Sequence, residues 1–217
     1  MPAIDLTGLD GEQRRRLMLA AGLMAAAFVV VLLAGALAGS AALKADALDF
    51  AAAGLGIGLR FLRPIQNRRA RVLAGLATSA LLVLLGAMVA ASTFYAFFVR
   101  QTPEPTLMAA GAVVALAANG AGLYLLRAER LQGPLNGLWL QMRNDLVGSA
   151  AVLVAAGVVA LVDNSVPDLT VAGVIVVLSL MEAVSALRKA LAEWEALRTE
   201  GGLNRAARSE TPKPEGP

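Results

Sequence analysis

The chain has 217 residues, of which 58% are hydrophobic and 16% are charged, and its formal net charge is +3. A soluble domain is about 45–50% apolar and about 25% charged, so the composition favours a membrane protein. Cysteine and histidine are both absent, which excludes disulfides, thiolate metal sites and a histidine general base. Any bound cation must therefore use oxygen ligands, and the small net charge gives no support to nucleic acid as a partner.

The apolar residues fall into six long stretches. A helix needs about 20 mostly apolar residues to cross a bilayer core, and the stretches lie at residues 17–38, 41–63, 72–99, 106–127, 134–162 and 168–190. Because lipid offers no partner to exposed backbone polar groups, these stretches should form a helical bundle. We therefore predict an all-α, polytopic membrane protein with six transmembrane helices, whose first partner is the lipid bilayer.

Basic residues are concentrated at alternate ends of these stretches. They lie at 14–16, at 60–71, at 127 and 130, and at 188–189, whereas the opposite connections hold little beyond Lys44 and Arg100. Cytoplasmic loops carry the excess of Lys and Arg, so both termini are predicted to be cytoplasmic.

Residues 1–16 are then a cytoplasmic N-terminal segment, and residues 17–192 are the membrane domain. Residues 193–217 are predicted to be a disordered cytoplasmic tail. We expect a multi-pass protein of the cell inner membrane or the plasma membrane.

Two carboxylates lie deep inside the predicted helices. Asp49 follows Ser40 by nine residues and Asp145 follows Leu135 by ten, which places them about 14 and 15 Å from opposite ends of a bundle at 1.5 Å per residue. An unpaired carboxylate at the membrane centre costs about 2.5–3.5 kcal/mol or more. We therefore predict that both face the bundle interior and share a cation, a proton or a basic partner. The alternative is a structural ion pair with Arg143 or Lys44.

Other polar residues lie near these two. Gln141 precedes Asp145 by four residues, so the two share a helix face. Asn119 either points inwards or forms an interhelical hydrogen bond. Glu182 either serves a proton path or pairs with Arg188, and the ion pair is our expectation.

The second stretch resembles the second helix of the cation diffusion facilitator family, which typically reads GS-x-AL-x-AD-A-x-H/D-x-x-x-D. Here it reads GSAALKADALDFAAA at 39–53. The fifth stretch, LQMRNDLVGSAAVLVAAG, resembles the family's H/D-x-x-x-D helix with its following GS step. Weaker similarities in the third, fourth and sixth stretches extend the resemblance over most of residues 15–192. It implies a six-helix transporter that exports divalent metal ions in exchange for protons.

The resemblance also implies a tetrahedral metal site, whose four positions are occupied here by Asp49, Ala53, Gln141 and Asp145. Ala53 cannot bind a metal ion, and Gln141 offers only a neutral carbonyl oxygen, so Asp46 is a candidate for a third carboxylate. The expected metal ligands are therefore Asp49, Asp145, Gln141 and Asp46. Their cargo would be a divalent cation (Mn, Fe, Mg, Co or Zn), and no resident cofactor is expected.

Family members usually carry a cytoplasmic domain after the sixth helix that holds a dimer together, and we expect only the tail here. If the chain forms a homodimer, the membrane helices must supply the interface. The loss of ligands leaves a second hypothesis open, a degenerate, non-transporting membrane subunit with a structural or regulatory role. Transport of a small organic cation is a third. An enzyme is not expected, because the sequence shows no nucleophile–base pair.

Overall fold

A computed structural model describes residues 11–61, 68–99, 102–127 and 136–210, and the side chains at all of these positions except 59–61, 136–137 and 200–210. This part of the chain forms six helices and no strand: α1 Gly11–Ala38, α2 Ala41–Phe61, α3 Arg68–Val99, α4 Pro105–Leu125, α5 Asn136–Val162 and α6 Val166–Glu210. The prediction of an all-α polytopic membrane protein is confirmed. Each helix overlaps its predicted stretch.

Five of the six helices are long and apolar enough to cross a membrane, and α2 is the exception. Its apolar run is interrupted by Lys44, Asp46 and Asp49. However, α2 packs against all five other helices, so little of its surface is left for lipid. A helix in the middle of a bundle can therefore carry polar groups that a peripheral helix could not.

The helices pack in two groups. Helices α1, α2, α4 and α5 form a compact group, whereas α3 packs mainly on α6. Helix α2 also contacts α3 and α6, and α5 contacts α6. The face where α2 and α5 meet α3 and α6 is therefore the boundary between the groups, and the cavities described below lie along it.

Close approach of α1 and α2 depends on Gly35. A Cβ atom built on this residue would lie 3.0 Å from the Leu43 Cβ and 3.0 Å from the Lys44 backbone nitrogen, so a larger residue would push the helices apart. The two helices are joined by Gly39, whose φ of 67° lies in the left-handed region that glycine adopts without steric cost.

A buried carboxylate caps the start of α2. Asp168, in the first turn of α6, is 2% exposed. It accepts hydrogen bonds from the Ser40 hydroxyl (2.6 Å) and from the backbone N–H groups of Ala41 (2.8 Å) and Ala42 (3.1 Å). Ser40 in turn accepts a hydrogen bond from the Leu43 N–H at 3.1 Å. These contacts satisfy N–H groups that the first turn of a helix leaves without partners, and they join α6 to α2.

The predicted start of a disordered tail at residue 193 is wrong, because α6 continues to Glu210. The segment 187–199, LRKALAEWEALRT, consists largely of strong helix formers, and Leu197 within it is buried. Residues 211–217 and 1–10 lie outside the described residues, so the predictions for them remain predictions.

Candidate cation site

Asp49 points from the middle of α2 towards α6. Its side chain is partly buried, and its Oδ1 accepts a hydrogen bond of 2.6 Å from the Ser179 hydroxyl. This bond crosses the boundary between the two groups of helices. Asp49 therefore lies where a movement of α6 relative to α2 would change its surroundings.

Two cavities meet at this point. We call the end of the bundle that carries Ser40 the outer end and the opposite end the inner end, after the predicted topology. The outer cavity, of about 600 Å³, lies between α5 and α6 and reaches from Glu182 towards Thr170. The inner cavity, of about 340 Å³, lies between α2, α3, α5 and α6 and reaches from Asp49 towards Gly56. Both cavities are lined by Asp49, Ser179 and Glu182.

Asp49 and Asp145 both line the outer cavity. The equal depths estimated from the sequence therefore correspond to a shared space in the structure. Gln141 lines the inner cavity together with Asp49. Three of the four predicted metal ligands thus border these two adjacent cavities, with Asp49 common to both.

Asp46, the fourth predicted ligand, lines neither cavity. It is 0% exposed, and the Ser149 hydroxyl lies 3.0 Å from both of its carboxylate oxygens. Asn119 donates a hydrogen bond of 3.2 Å to the same Ser149 oxygen, so its interhelical role is confirmed. This network joins α2, α4 and α5 inside the compact group. Ala53, at the position that the family resemblance assigns to a ligand, is also buried in the core at 1% exposure.

The predicted alternative of a structural ion pair is not found in the part of the chain that the structure describes. There, Asp49 and Asp145 form no ion pair with Lys or Arg. The Arg143 guanidinium instead lies over the Trp139 ring, with its central carbon 5.9 Å from the ring centroid. Lys44 is partly buried and makes no ion pair with a described residue.

The expected ion pair between Glu182 and Arg188 is wrong. Both side chains are described and exposed, and they form no ion pair. The reason is geometric: residues three or four apart share a helix face, and residues six apart do not. Glu182 instead borders both cavities. Sequence reasoning also missed Ser179, although Ser179 and Glu182 are three residues apart within an apolar run and so lie on one face of α6.

The carboxylates line a shared space without forming a finished metal site. Asp145 lies close enough to Asp49 and Glu182 for mutual repulsion. Among the described residues, however, no group of three or more acidic side chains is close enough to hold one metal ion. In this conformation at most two carboxylates at a time can bind a cation, with water or neutral oxygens completing its shell.

Comparison with known protein families agrees with this arrangement. The sequence model of the cation efflux transmembrane domain matches residues 67–193. The chain belongs to the cation efflux family, the cation diffusion facilitators. The match runs from the start of α3 into α6 and includes Gln141, Asp145 and Glu182, whereas Asp49 precedes it. A comparison with curated proteins found no match. Members of this family are transporters, and this chain is a multi-pass membrane protein with a cation efflux domain.

Proposed function

We propose that this cation efflux protein exports a divalent metal ion in exchange for protons, with Asp49 and Asp145 as the principal cation-binding residues. The observation that carries the proposal is the outer cavity itself. Its lining includes Asp49 and Asp145, which come from two helices that run in opposite directions, and neither of these two carboxylates pairs with a described basic residue. Intramembrane carboxylates with this placement mark ion pathways.

The chemistry of the ligands favours hard cations. With no cysteine or histidine in the chain, the cavities offer carboxylate, amide and hydroxyl oxygens, supplemented by water. Such a set suits Mn²⁺, Mg²⁺ or Fe²⁺ better than Zn²⁺, which prefers nitrogen and sulfur ligands. Gln141 supplies a neutral oxygen to the inner cavity, so we place it among the weaker ligands.

Exchange for protons follows from the same carboxylates. A carboxylate must be deprotonated to bind a metal ion, so proton binding and cation binding exclude one another. The inner and outer cavities lie on either side of Asp49, and rocking of the α3–α6 pair against the other four helices would open one and close the other. Such alternating access around a site near the membrane midplane is how secondary transporters work.

A second candidate function is a non-transporting membrane subunit. Two observations favour it: Ala53 is buried at a family ligand position, and the described residues contain no completed metal site. Such a subunit would keep the fold of the family while contributing structure or regulation.

Transport assays in proteoliposomes distinguish the two functions. The purified protein is tested with Mn²⁺, Mg²⁺, Fe²⁺, Co²⁺ and Zn²⁺ in turn, with and without a pH gradient. We expect flux of at least one ion that increases with the gradient and that Asp49→Asn and Asp145→Asn abolish. Asp163→Asn is the matched control, because Asp163 lines neither cavity and asparagine tolerates its φ of 47°. Unchanged flux in both site variants would exclude this mechanism, and absence of both flux and binding for all five ions would favour the subunit.

A further inference from the structure

Glu182 has the position of a cation ligand that the family resemblance did not indicate. Of the described residues that line the two cavities, only Asp49, Ser179 and Glu182 border both. Glu182 lies one helical turn beyond Ser179 towards the inner end of α6. Glu182 is therefore placed, like Asp49, where it borders both cavities.

The acidic residues at the boundary between the two helix groups also favour a cation beside Glu182. Its carboxyl group lines the outer cavity together with those of Asp49 and Asp145, and it forms no ion pair with a described residue. Ionised carboxylates that line one cavity repel one another unless cations or protons neutralise them. Carboxylates inside membrane helices usually pair with such a partner.

Glu182 also offsets a loss on α2. The family resemblance assigns two ligands to that helix, and here only Asp49 can act because Ala53 is apolar and buried in the core. A carboxylate on α6 restores a second negative charge next to Asp49, from the opposite side of the boundary between the helix groups. The ligand set would then be divided among α2, α5 and α6.

We propose that Glu182 is a third cation-binding carboxylate. On the inner side it binds a divalent metal ion together with Asp49, and the ion then passes to the pair formed by Asp49 and Asp145. This inference rests on the proposed function. We propose two successive pairs of ligands and not one site of three, because the described residues contain no group of three carboxylates close enough to hold one ion. Asp49 is then the ligand common to both steps, and Glu182 sets the affinity from the inner side.

The test measures transport kinetics of Mn²⁺ in proteoliposomes, with Mn²⁺ supplied at the inner face of the protein. We expect Glu182→Gln to raise the KM for Mn²⁺ at least about tenfold, which corresponds to the loss of one charged ligand, with a smaller change in kcat. Glu182→Asp keeps the charge and should bring KM back to within about threefold of the unmodified protein. Glu193→Gln, an exposed glutamate of the same helix that lines neither cavity, should leave KM unchanged. Size-exclusion chromatography checks the fold of each variant.

The outcomes separate this inference from the proposed function. If Glu182→Gln transports Mn²⁺ with an unchanged KM while Asp49→Asn and Asp145→Asn are inactive, transport stands and the role of Glu182 is overturned. The same holds if Glu182→Asp is as impaired as Glu182→Gln, because the charge is then not what matters. If Glu182→Gln does not fold, Glu182→Ala replaces it in the same KM measurement, and a KM equal to that of the unmodified protein overturns the role. If the unmodified protein neither binds nor moves any of the five cations, both proposals fall together.

Discussion

Ser179 donates a hydrogen bond of 2.6 Å to Asp49 and so joins α6 to α2 at the point where the inner and outer cavities meet. The bond involves Oδ1 of Asp49. A hydroxyl that fixes the orientation of a carboxylate reduces the ordering cost of cation binding. Ser179 is thus a positioning residue for the proposed site, and it lies on the helix that also carries Glu182.

Replacing Ser179 with alanine should weaken cation binding slightly and leave the fold intact. A side-chain hydrogen bond between membrane helices contributes about 0.6 kcal/mol on average, which corresponds to about a threefold change in affinity. Isothermal titration of Mn²⁺ into the purified variant measures this change. Ser92→Ala is the control, because the Ser92 hydroxyl bonds only to the Val89 carbonyl of its own helix. Equal affinities for both variants would show that Ser179 does not position Asp49.

Asp46 and Asp49 are three residues apart on α2, and the structure places them in different surroundings. Asp46→Asn should change Mn²⁺ affinity by less than about twofold, because Asp46 lines neither cavity and the asparagine carbonyl can still accept the Ser149 hydrogen bond. Asp49→Asn should abolish binding. Titration of Mn²⁺ into both variants compares them directly, and a comparable loss in the two would return Asp46 to the site.

These two residues also show how far the sequence could predict the site. The rise per residue was enough to place Asp49 and Asp145 at one depth, and the structure places both on one cavity. The depth of Asp46 was equally predictable, but its direction was not. Residues three apart project about 60° from one another on a helix, and which neighbour each one faces depends on how α4, α5 and α6 surround α2. That arrangement is tertiary and leaves no local signal.

Helix positions were predictable for a different reason. The apolar stretch at 134–162 corresponds to Asn136–Val162, and that at 41–63 to Ala41–Phe61, because the thickness of a bilayer fixes the length of an apolar run. The contact between Asp168 and Ser40 was not predictable, since its partners are 128 residues apart in sequence. The end of α6 differs from the prediction because the strong helix formers at 187–199 extend the helix into a segment whose glycine and charge indicate disorder.

Gly35 should tolerate no side chain, since α1 and α2 approach each other there. Gly35→Ala would place a Cβ atom 3.0 Å from both the Leu43 Cβ and the Lys44 backbone nitrogen, and overpacking of this kind costs about 1–3 kcal/mol. Thermal unfolding in detergent should therefore show a lower Tm. Gly22→Ala, in the same helix with no atom within 4 Å of the added Cβ, should leave Tm unchanged or raise it. Equal Tm values for the two variants would contradict the close approach of the helices.

Asp168 should contribute more to stability than an exposed helix cap. Asp168→Ala removes the acceptor for the Ser40 hydroxyl and for the N–H groups of Ala41 and Ala42. Buried donors without a partner cost about 1–3 kcal/mol each, so we expect a loss of more than about 2 kcal/mol in the free energy of unfolding. Asn164→Ala is the control, because Asn164 caps the N–H of Val166 at an exposed position and such caps contribute about 1 kcal/mol. Similar losses in the two variants, measured by chemical denaturation, would contradict the importance of burial.

Glu104 precedes α4 and accepts hydrogen bonds from the backbone N–H groups of Leu107 and Thr106. The bond from Leu107 is the main reason why the pKa of the Glu104 carboxyl lies below its usual value of 4.5. Because the folded-state pKa is the lower one, the ionised group stabilises the fold above pH 4.5 and this contribution is lost as the pH falls through the folded-state pKa. Glu104→Gln should therefore have a lower Tm than the unmodified protein at pH 7, and the difference in Tm should shrink below pH 4.5.

Glu193→Gln, which removes another exposed charge, is the control for the effect of surface charge alone. A Tm difference for Glu104→Gln that stays constant from pH 7 to the acid range would show that the charge of Glu104 does not stabilise the start of α4.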